Sequence, residues 1–237
     1  MMTADTAEMP VTGHLEELRK RLIYSFCAIA LGTAVSFFFI KDLMAFLTAP
    51  VGQLYFARPA EVLFIYCKTA IMAGFILASP VVFFEFWRFV LPALTDRERT
   101  WTCVFVPLSV SLFLGGVCFS YFFVMPESLH FLMSFGGDDF KPLLSMENYL
   151  EFVLFMIFPF GVVCNMPLIL IALAKAGLTS YKALRKGRKY VIFLSFVLAA
   201  IITPTPDVMT QCFLAVPAMV LFEMSLWVIR IMERAGQ

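Results

Sequence analysis

The chain has 237 residues, of which 61% are hydrophobic and 28 are phenylalanine, and its formal net charge is +1; the mean hydropathy is +0.88. A soluble domain of that composition cannot cover itself with polar side chains, so lipid must be the solvent for much of the surface. The net charge says nothing about nucleic acid, but no basic face interleaved with aromatics is present, so no nucleic-acid partner is expected.

The first charged cluster is His14-Leu15-Glu16-Glu17-Leu18-Arg19-Lys20-Arg21. Leu15, Leu18 and Leu22 share one helical face, so residues 1–21 are expected to include an amphipathic helix at the membrane interface. Within it Glu16 precedes Lys20 by four residues and Glu17 precedes Arg21 by four, pairs worth a few tenths of a kcal/mol each, roughly. Six runs without Asp, Glu, Lys or Arg follow: Leu22 to Ile40, Thr69 to Phe84, Trp101 to Met125, Phe152 to Ala174, Tyr190 to Ile202 and Val208 to Phe222. A helix needs about 20 apolar residues to cross about 30 Å of hydrocarbon. The first, third and fourth qualify, and the second does if it continues through Phe86-Trp87-Arg88-Phe89. The fifth has 13 residues. It and the sixth are expected to be short spans joined by the turn Thr203-Pro204-Thr205-Pro206-Asp207, which would thin the bilayer locally. The whole chain therefore reads as one all-α membrane domain, with a six-span bundle over 22–230 and a tail over 231–237.

Between the runs, Asp42 to Cys67, punctuated by Pro50 and Pro59, is too apolar for a solvated linker and is expected to pack as short amphipathic pieces at the outer interface. Phe131 to Tyr149 reads as a second outer cap. Fourteen of the 18 Lys and Arg fall in the N-terminal segment, the loops after the second and fourth runs, and the tail. By the positive-inside rule both termini are then cytoplasmic. Arg19 to Arg21 followed by an apolar run could be misread as a signal peptide, but the run is too long and lacks a small-residue cleavage site.

Chemistry inside the membrane is sparse. Six scattered cysteines without a C-x-x-C pair read as small apolar fillers. Two distant histidines without carboxylates at ligand spacing give no metal site. No G-x-S-x-G elbow, phosphate-binding loop or other nucleophile arrangement appears, so neither an enzyme nor a cofactor is expected. Asn165, between Pro159 and Pro167, either bonds backbone freed by the prolines or attracts a polar group into the membrane. Glu223, just past the last run, is expected to interrupt the last helix as an isolated carboxylate that must snorkel, pair or face protein. Glu85 and Arg88, three apart, are expected to pair locally.

The order and sidedness of several motifs resemble the TatC family, the receptor subunit of the twin-arginine protein translocase. These are H-L-x-E-L-R-x-R at His14, Leu15, Glu17, Leu18, Arg19 and Arg21; F-x-x-P-A-L-x-x-x-E-R at Phe89, Pro92, Ala93, Leu94, Glu98 and Arg99; and T-P-x-P-D at Thr203, Pro204, Pro206 and Asp207, with Gln211 following. Pro50, Glu61, Lys68, Trp87, Gly115, Tyr121, Arg188 and Glu223 also fall where family positions are expected. The resemblance implies binding of signal peptides with two consecutive arginines by Glu17 and Glu98, with Arg19, Phe89 and Leu94 beside them. It implies structural roles for Pro50, Pro92, Pro204, Pro206 and Asp207, and a surface at Thr203 and Gln211 for a small partner's helix. It also implies assembly with TatA and TatB type single-span subunits, self-association in a larger complex, contact with membrane lipids, and export of folded proteins across the bacterial cytoplasmic (inner) membrane on the proton motive force. Where the family often has Glu or Gln, this chain has Asn165, and Glu85 stands where Gln is usual. The rival from another class, a secondary transporter of a small solute or ion, would be expected to show repeat symmetry and midplane charges.

Overall fold

The computed structural model describes residues 11–90, 99–134, 143–203 and 207–235, all of it helix and connecting turns apart from one isolated bridge between Tyr55 and Ser145. The helices are α1 (Val11–Phe38), α2 (Ile40–Thr48), α3 (Pro59–Val90), α4 (Arg99–Phe119), α5 (Met125–Ser134), α6 (Met146–Cys164), α7 (Met166–Lys175), α8 (Tyr181–Lys186), α9 (Arg188–Ile202) and α10 (Val208–Ala235). A π-helical turn over Ser120–Val124 joins α4 to α5. Its cause is local: Pro126 has no N–H to offer Phe122, and Met125 N–H instead reaches back five residues to the Ser120 carbonyl. The break between α6 and α7 falls at Asn165, two residues before Pro167.

Five helical stretches are long and apolar enough to cross a membrane: 15–38, 59–90, 103–134, 146–175 and 208–234. Phe38, Phe123, Phe193 and Trp227 are among the large apolar side chains that point outward, as side chains facing lipid must. The expected continuation of the second run through Trp87 is present, and α3 also starts ten residues earlier than that run, at Pro59. The last run is not short. Glu223 does not interrupt it, and α10 is a 28-residue helix; only α9, at 15 residues, falls below spanning length. The helix of the N-terminal segment leads straight into the first apolar run, α1 being unbroken from Val11 to Phe38. Four of the six cysteines (Cys27, Cys67, Cys103, Cys118) are exposed rather than filling a core.

Small residues set the helix crossings. A Cβ on Gly32 of α1 would lie 2.5 Å from the Gly74 carbonyl oxygen of α3, and one on Gly74 would lie 2.4 Å from the Thr33 nitrogen. At the α4–α6 crossing, a Cβ on Gly116 would meet Cys164 Sγ at 2.7 Å, and one on Gly161 would meet the Phe113 ring at 2.6 Å. The main core gathers Ile65, Tyr121, Met125, Tyr149, Leu150, Val153, Met156 and Phe160 between α3, the π turn, α5 and α6, with α2 packed on it through Ile40, Met44 and Leu47. A smaller cluster of Trp87, Phe105, Leu168 and Ala172 joins the end of α3, the start of α4 and α7. Through these contacts and those of Arg21 with Glu85 and Tyr181 with Glu233, the start of α1, the end of α3, the α7–α9 connection and the end of α10 lie at one edge, an edge rich in Lys and Arg.

The glycine contacts give a controlled test. Gly74→Ala puts a methyl against backbone that cannot give, and overpacking of this kind costs about 1–3 kcal/mol. Gly115→Ala, with nothing within 4 Å of its Cβ, is expected to be neutral or slightly favourable for the helix. Thermal unfolding of the two purified variants in detergent should separate them by several degrees, and equal midpoints would show that the α1–α3 crossing does not limit stability.

Candidate functional site at the basic edge

The sequence marks Glu17 and the neighbouring connection as the place where chemistry concentrates, and the structure puts a charged cluster there. Arg21, one helical turn after Glu17, has a side chain only 11% exposed. Its Nη2 donates to Glu17 and its Nη1 donates to Glu85 Oε2 on α3 at 3.2 Å. The expected Glu85–Arg88 pair is therefore replaced: Glu85 faces α1, while the Arg88 guanidinium lies 5.9 Å from the centroid of the Phe84 ring. Residues three apart on a helix lie only about 60° from each other around the axis, so spacing alone allows the Glu85–Arg88 pair; it is the Arg21 guanidinium on α1 that takes Glu85. Glu16 and Lys20 form the second predicted pair, at 3.0 Å and exposed.

Behind this cluster Trp87 is 1% exposed and its Nε1 donates to Ser109 Oγ at 2.6 Å, with its ring 4.8 Å from that of Phe105. The indole thus locks the end of α3 against the start of α4. Phe89 is half-buried at the last turn of α3, one turn beyond Glu85 and on the same face, and Arg19 is exposed. Glu17 is brought next to the root of the 91–98 connection. Pro92, Leu94 and Glu98 themselves lie outside the described residues, as do Pro204 and Pro206.

Within the bundle, Asn165 is 4% exposed. Its backbone N–H bonds to the Val162 carbonyl rather than to that of Gly161, and its Nδ2 supplies the bond that Gly161 then lacks, at 3.1 Å. The amide oxygen is buried with no partner among the described residues. The nitrogen end of the amide thus bonds backbone at the kink, the first of the two expected roles. Glu223 is paired with Arg188, the first residue of α9, at 2.5 Å. At the opposite edge, Asp207 accepts from the Thr210 N–H at 2.7 Å and so caps α10, Thr203 is buried with its hydroxyl donating to the Ala199 carbonyl at 2.9 Å, and Gln211 is half-buried. Pro50 lies in the turn after α2, which closes through Gly52 at φ +74°.

The same opposite edge carries a polar cap that inspection of the sequence did not assign. Glu61, 7% exposed, accepts from the N–H groups of Ala57 (3.0 Å), Arg58 (3.3 Å) and Glu147 (3.2 Å) and from the Ser145 hydroxyl (3.3 Å). Tyr55 completes the join, exchanging bonds with Leu144 and Met146. Tyr121 and Tyr149 donate to the Phe46 and Leu47 carbonyls, each at 2.7 Å; the first joins the Ala49 N–H on the Phe46 oxygen, and the second satisfies an acceptor in the last turn of α2. Lys68 and Glu151 pair across α3 and α6. The available signal was their opposite sign, each standing immediately before an uncharged run.

This arrangement defines a polytopic all-α membrane protein with a carboxylate-bearing basic edge and no assembled catalytic group among the described residues. A family model described as Sec-independent protein translocase protein (TatC) matches residues 13–217. The TatC of Desulforapulum autotrophicum is 40% identical, over 95% of this chain and 86% of that protein. The TatC of Aquifex aeolicus is also 40% identical, over 95% of this chain and 97% of that protein. A crystal structure of the twin arginine translocase receptor TatC superposes with a TM-score of 0.85 at 39% identity, covering 92% of this chain and 98% of that one. The chain belongs to the TatC family, a non-enzymatic family of translocase components.

Tyr149→Phe removes the donor to a buried carbonyl and is expected to destabilise by about 1–3 kcal/mol. The α2 turn should then be cut sooner by limited proteolysis at residues 49–58 than in the unaltered protein. Unchanged cleavage and unchanged thermal unfolding would mean that α2 is held by apolar packing alone.

Proposed function

We propose that this chain is the receptor and scaffold of a twin-arginine translocase, lying in the bacterial cytoplasmic membrane with both termini inside and α9 completing a sixth span. The basic edge then faces the cytoplasm, in accord with the positive-inside rule. It binds signal peptides that carry two consecutive arginines, through Glu17 and Glu98, with Arg19, Phe89 and Leu94 lining the approach. The observation that carries this is the state of Glu17: a carboxylate 32% exposed, fixed on a helix, and already engaged by a guanidinium. A site built to hold one arginine has the geometry to hold another, because the planar fork matches a carboxylate in a way a lysine ammonium does not.

The scaffold function uses the rest of the molecule. TatA and TatB type single-span subunits dock along the bundle, with the Asn165 amide oxygen accepting from a polar group of a partner helix and the turn at Thr203 and Gln211 forming a second contact. Further copies of the chain join the complex, and transport of folded proteins runs on the proton motive force. Amphipathic α2 and the outward-facing aromatics rest in lipid.

Affinity of the detergent-purified protein for a twin-arginine signal peptide tests the central step. A charged hydrogen bond is worth about 1.5–3 kcal/mol, so Glu17→Gln and Glu98→Gln should each weaken binding by about 10- to 150-fold. A peptide with two lysines should bind comparably poorly. Equal binding of all peptides by all variants would make these carboxylates structural and end the receptor assignment.

A further inference from the structure

At the basic edge two carboxylates on two helices share one guanidinium. Arg21 gives one donor to Glu85 and one to Glu17, and its Nε is buried without a partner among the described residues. The side chains of Arg21 and Glu85 are 11% and 12% exposed, whereas that of Glu17 is 32% exposed. A guanidinium engages a single carboxylate best through two parallel bonds. Arg21 has that arrangement with neither partner. It is split between them, and it occupies the more accessible carboxylate in the manner an outside arginine would.

On the footing of the receptor function above, we propose that Arg21 is an internal occupant of the signal-peptide site and that Glu85 is the residue that takes it over when the ligand arrives. An incoming guanidinium engages Glu17, and Arg21 transfers its second donor to Glu85. The hydrogen-bond count of Arg21 is preserved, and its charge is never left uncompensated in a poorly solvated position, which is the costly outcome when one partner of a buried pair is removed. Glu85 is thus a positioning residue. It acts on the ligand through Arg21 and does not contact it. Glutamine at 85 would still accept a bond but would not balance the charge, so Arg21 would depend on Glu17 alone and the ligand would compete against a cation with no alternative partner.

The test is a double-mutant cycle on the full chain, reading affinity for a twin-arginine signal peptide together with thermal unfolding. Glu85→Gln is expected to weaken binding about tenfold, Arg21→Met to bind at least as tightly as the unaltered protein, and the Arg21→Met/Glu85→Gln pair to lie within about threefold of Arg21→Met, a gap below 1 kcal/mol. A merely structural role for Glu85 predicts instead that the double variant is as weak as Glu85→Gln, and that outcome overturns the inference. So does Glu85→Gln binding unchanged, or Arg21→Met abolishing binding while remaining folded. Should Glu85→Gln fail to fold, the comparison of Arg21→Met with the unaltered protein decides alone, since a loss of affinity there contradicts an internal competitor. If Glu17→Gln leaves wild-type binding intact, the receptor assignment itself has failed, which these variants distinguish from failure of the Arg21 handover.

Discussion

Lipid tails are as apolar as the side chains they surround, so helices in a membrane are not driven together by the hydrophobic effect but by close packing and by polar groups that lipid will not accept. In this protein the contact on which the rest depends is the crossing of α1 and α3 at Gly32 and Gly74. The apolar window of α1 is only 6% buried, and α3 is its principal neighbour. Arg21 lies eleven residues before Gly32, and Glu85 lies eleven after Gly74. Eleven residues make about three helical turns, so each charged residue returns to the face its glycine presents to the other helix. In an antiparallel pair the two residues are then level, about 16 Å from the crossing. The glycines bring the backbones close enough for the charges to meet, and the charges fix which residues lie level.

The other ion pairs between helices follow the same logic. Lys68 with Glu151 ties α3 to α6, and Arg188 with Glu223 ties α9 to α10. Each partner alone would be an unbalanced charge beside lipid; together they specify which helix lies next to which. The two edges divide the work. At one, Glu61 and the two tyrosines consume backbone groups in a closed cap whose donors and acceptors are matched. At the other, carboxylates share a guanidinium and retain the capacity to accept another, which is where exchange with an outside ligand is least costly.

Much of this was legible in residue order. Uncharged runs located five long helices, Pro159 and Pro167 pointed to backbone for Asn165 to bond, and the spacing of Glu16, Glu17, Lys20 and Arg21 gave both pairs along α1. The errors share one cause. Glu85 was assigned to Arg88, and Glu223 was left as an isolated carboxylate interrupting the last helix, because only neighbours in sequence were available as partners. In each case the true partner, Arg21 or Arg188, lies more than 30 residues away, and nothing in local periodicity encodes which helix will stand alongside. Glu61 was likewise visible as a residue but not as a hub, because three of its four donors are backbone N–H groups, which carry no sequence signature.

The Arg188–Glu223 pair bears on the least regular part of the bundle. α9 begins at Arg188 and ends in the turn before α10, so its 15 residues make roughly 22 Å of helix against about 30 Å of hydrocarbon. α10 is not constrained in that way, for it continues twelve residues past Glu223. The apolar height of the hairpin is therefore set by where its ion pair sits, not by the length of α10. An apolar stretch shorter than the surrounding core is accommodated by thinning the bilayer, with flanking side chains snorkelling to the interface. Moving the pair outward along both helices would lengthen the apolar stretch without altering either helix elsewhere. With α9 as the proposed sixth span, the depth of this ion pair would set the thickness of membrane matched beside it, close to the α3–α6 face where Lys68 and Glu151 border a cavity of about 600 Å³ that Ile201 and Ile202 help to line.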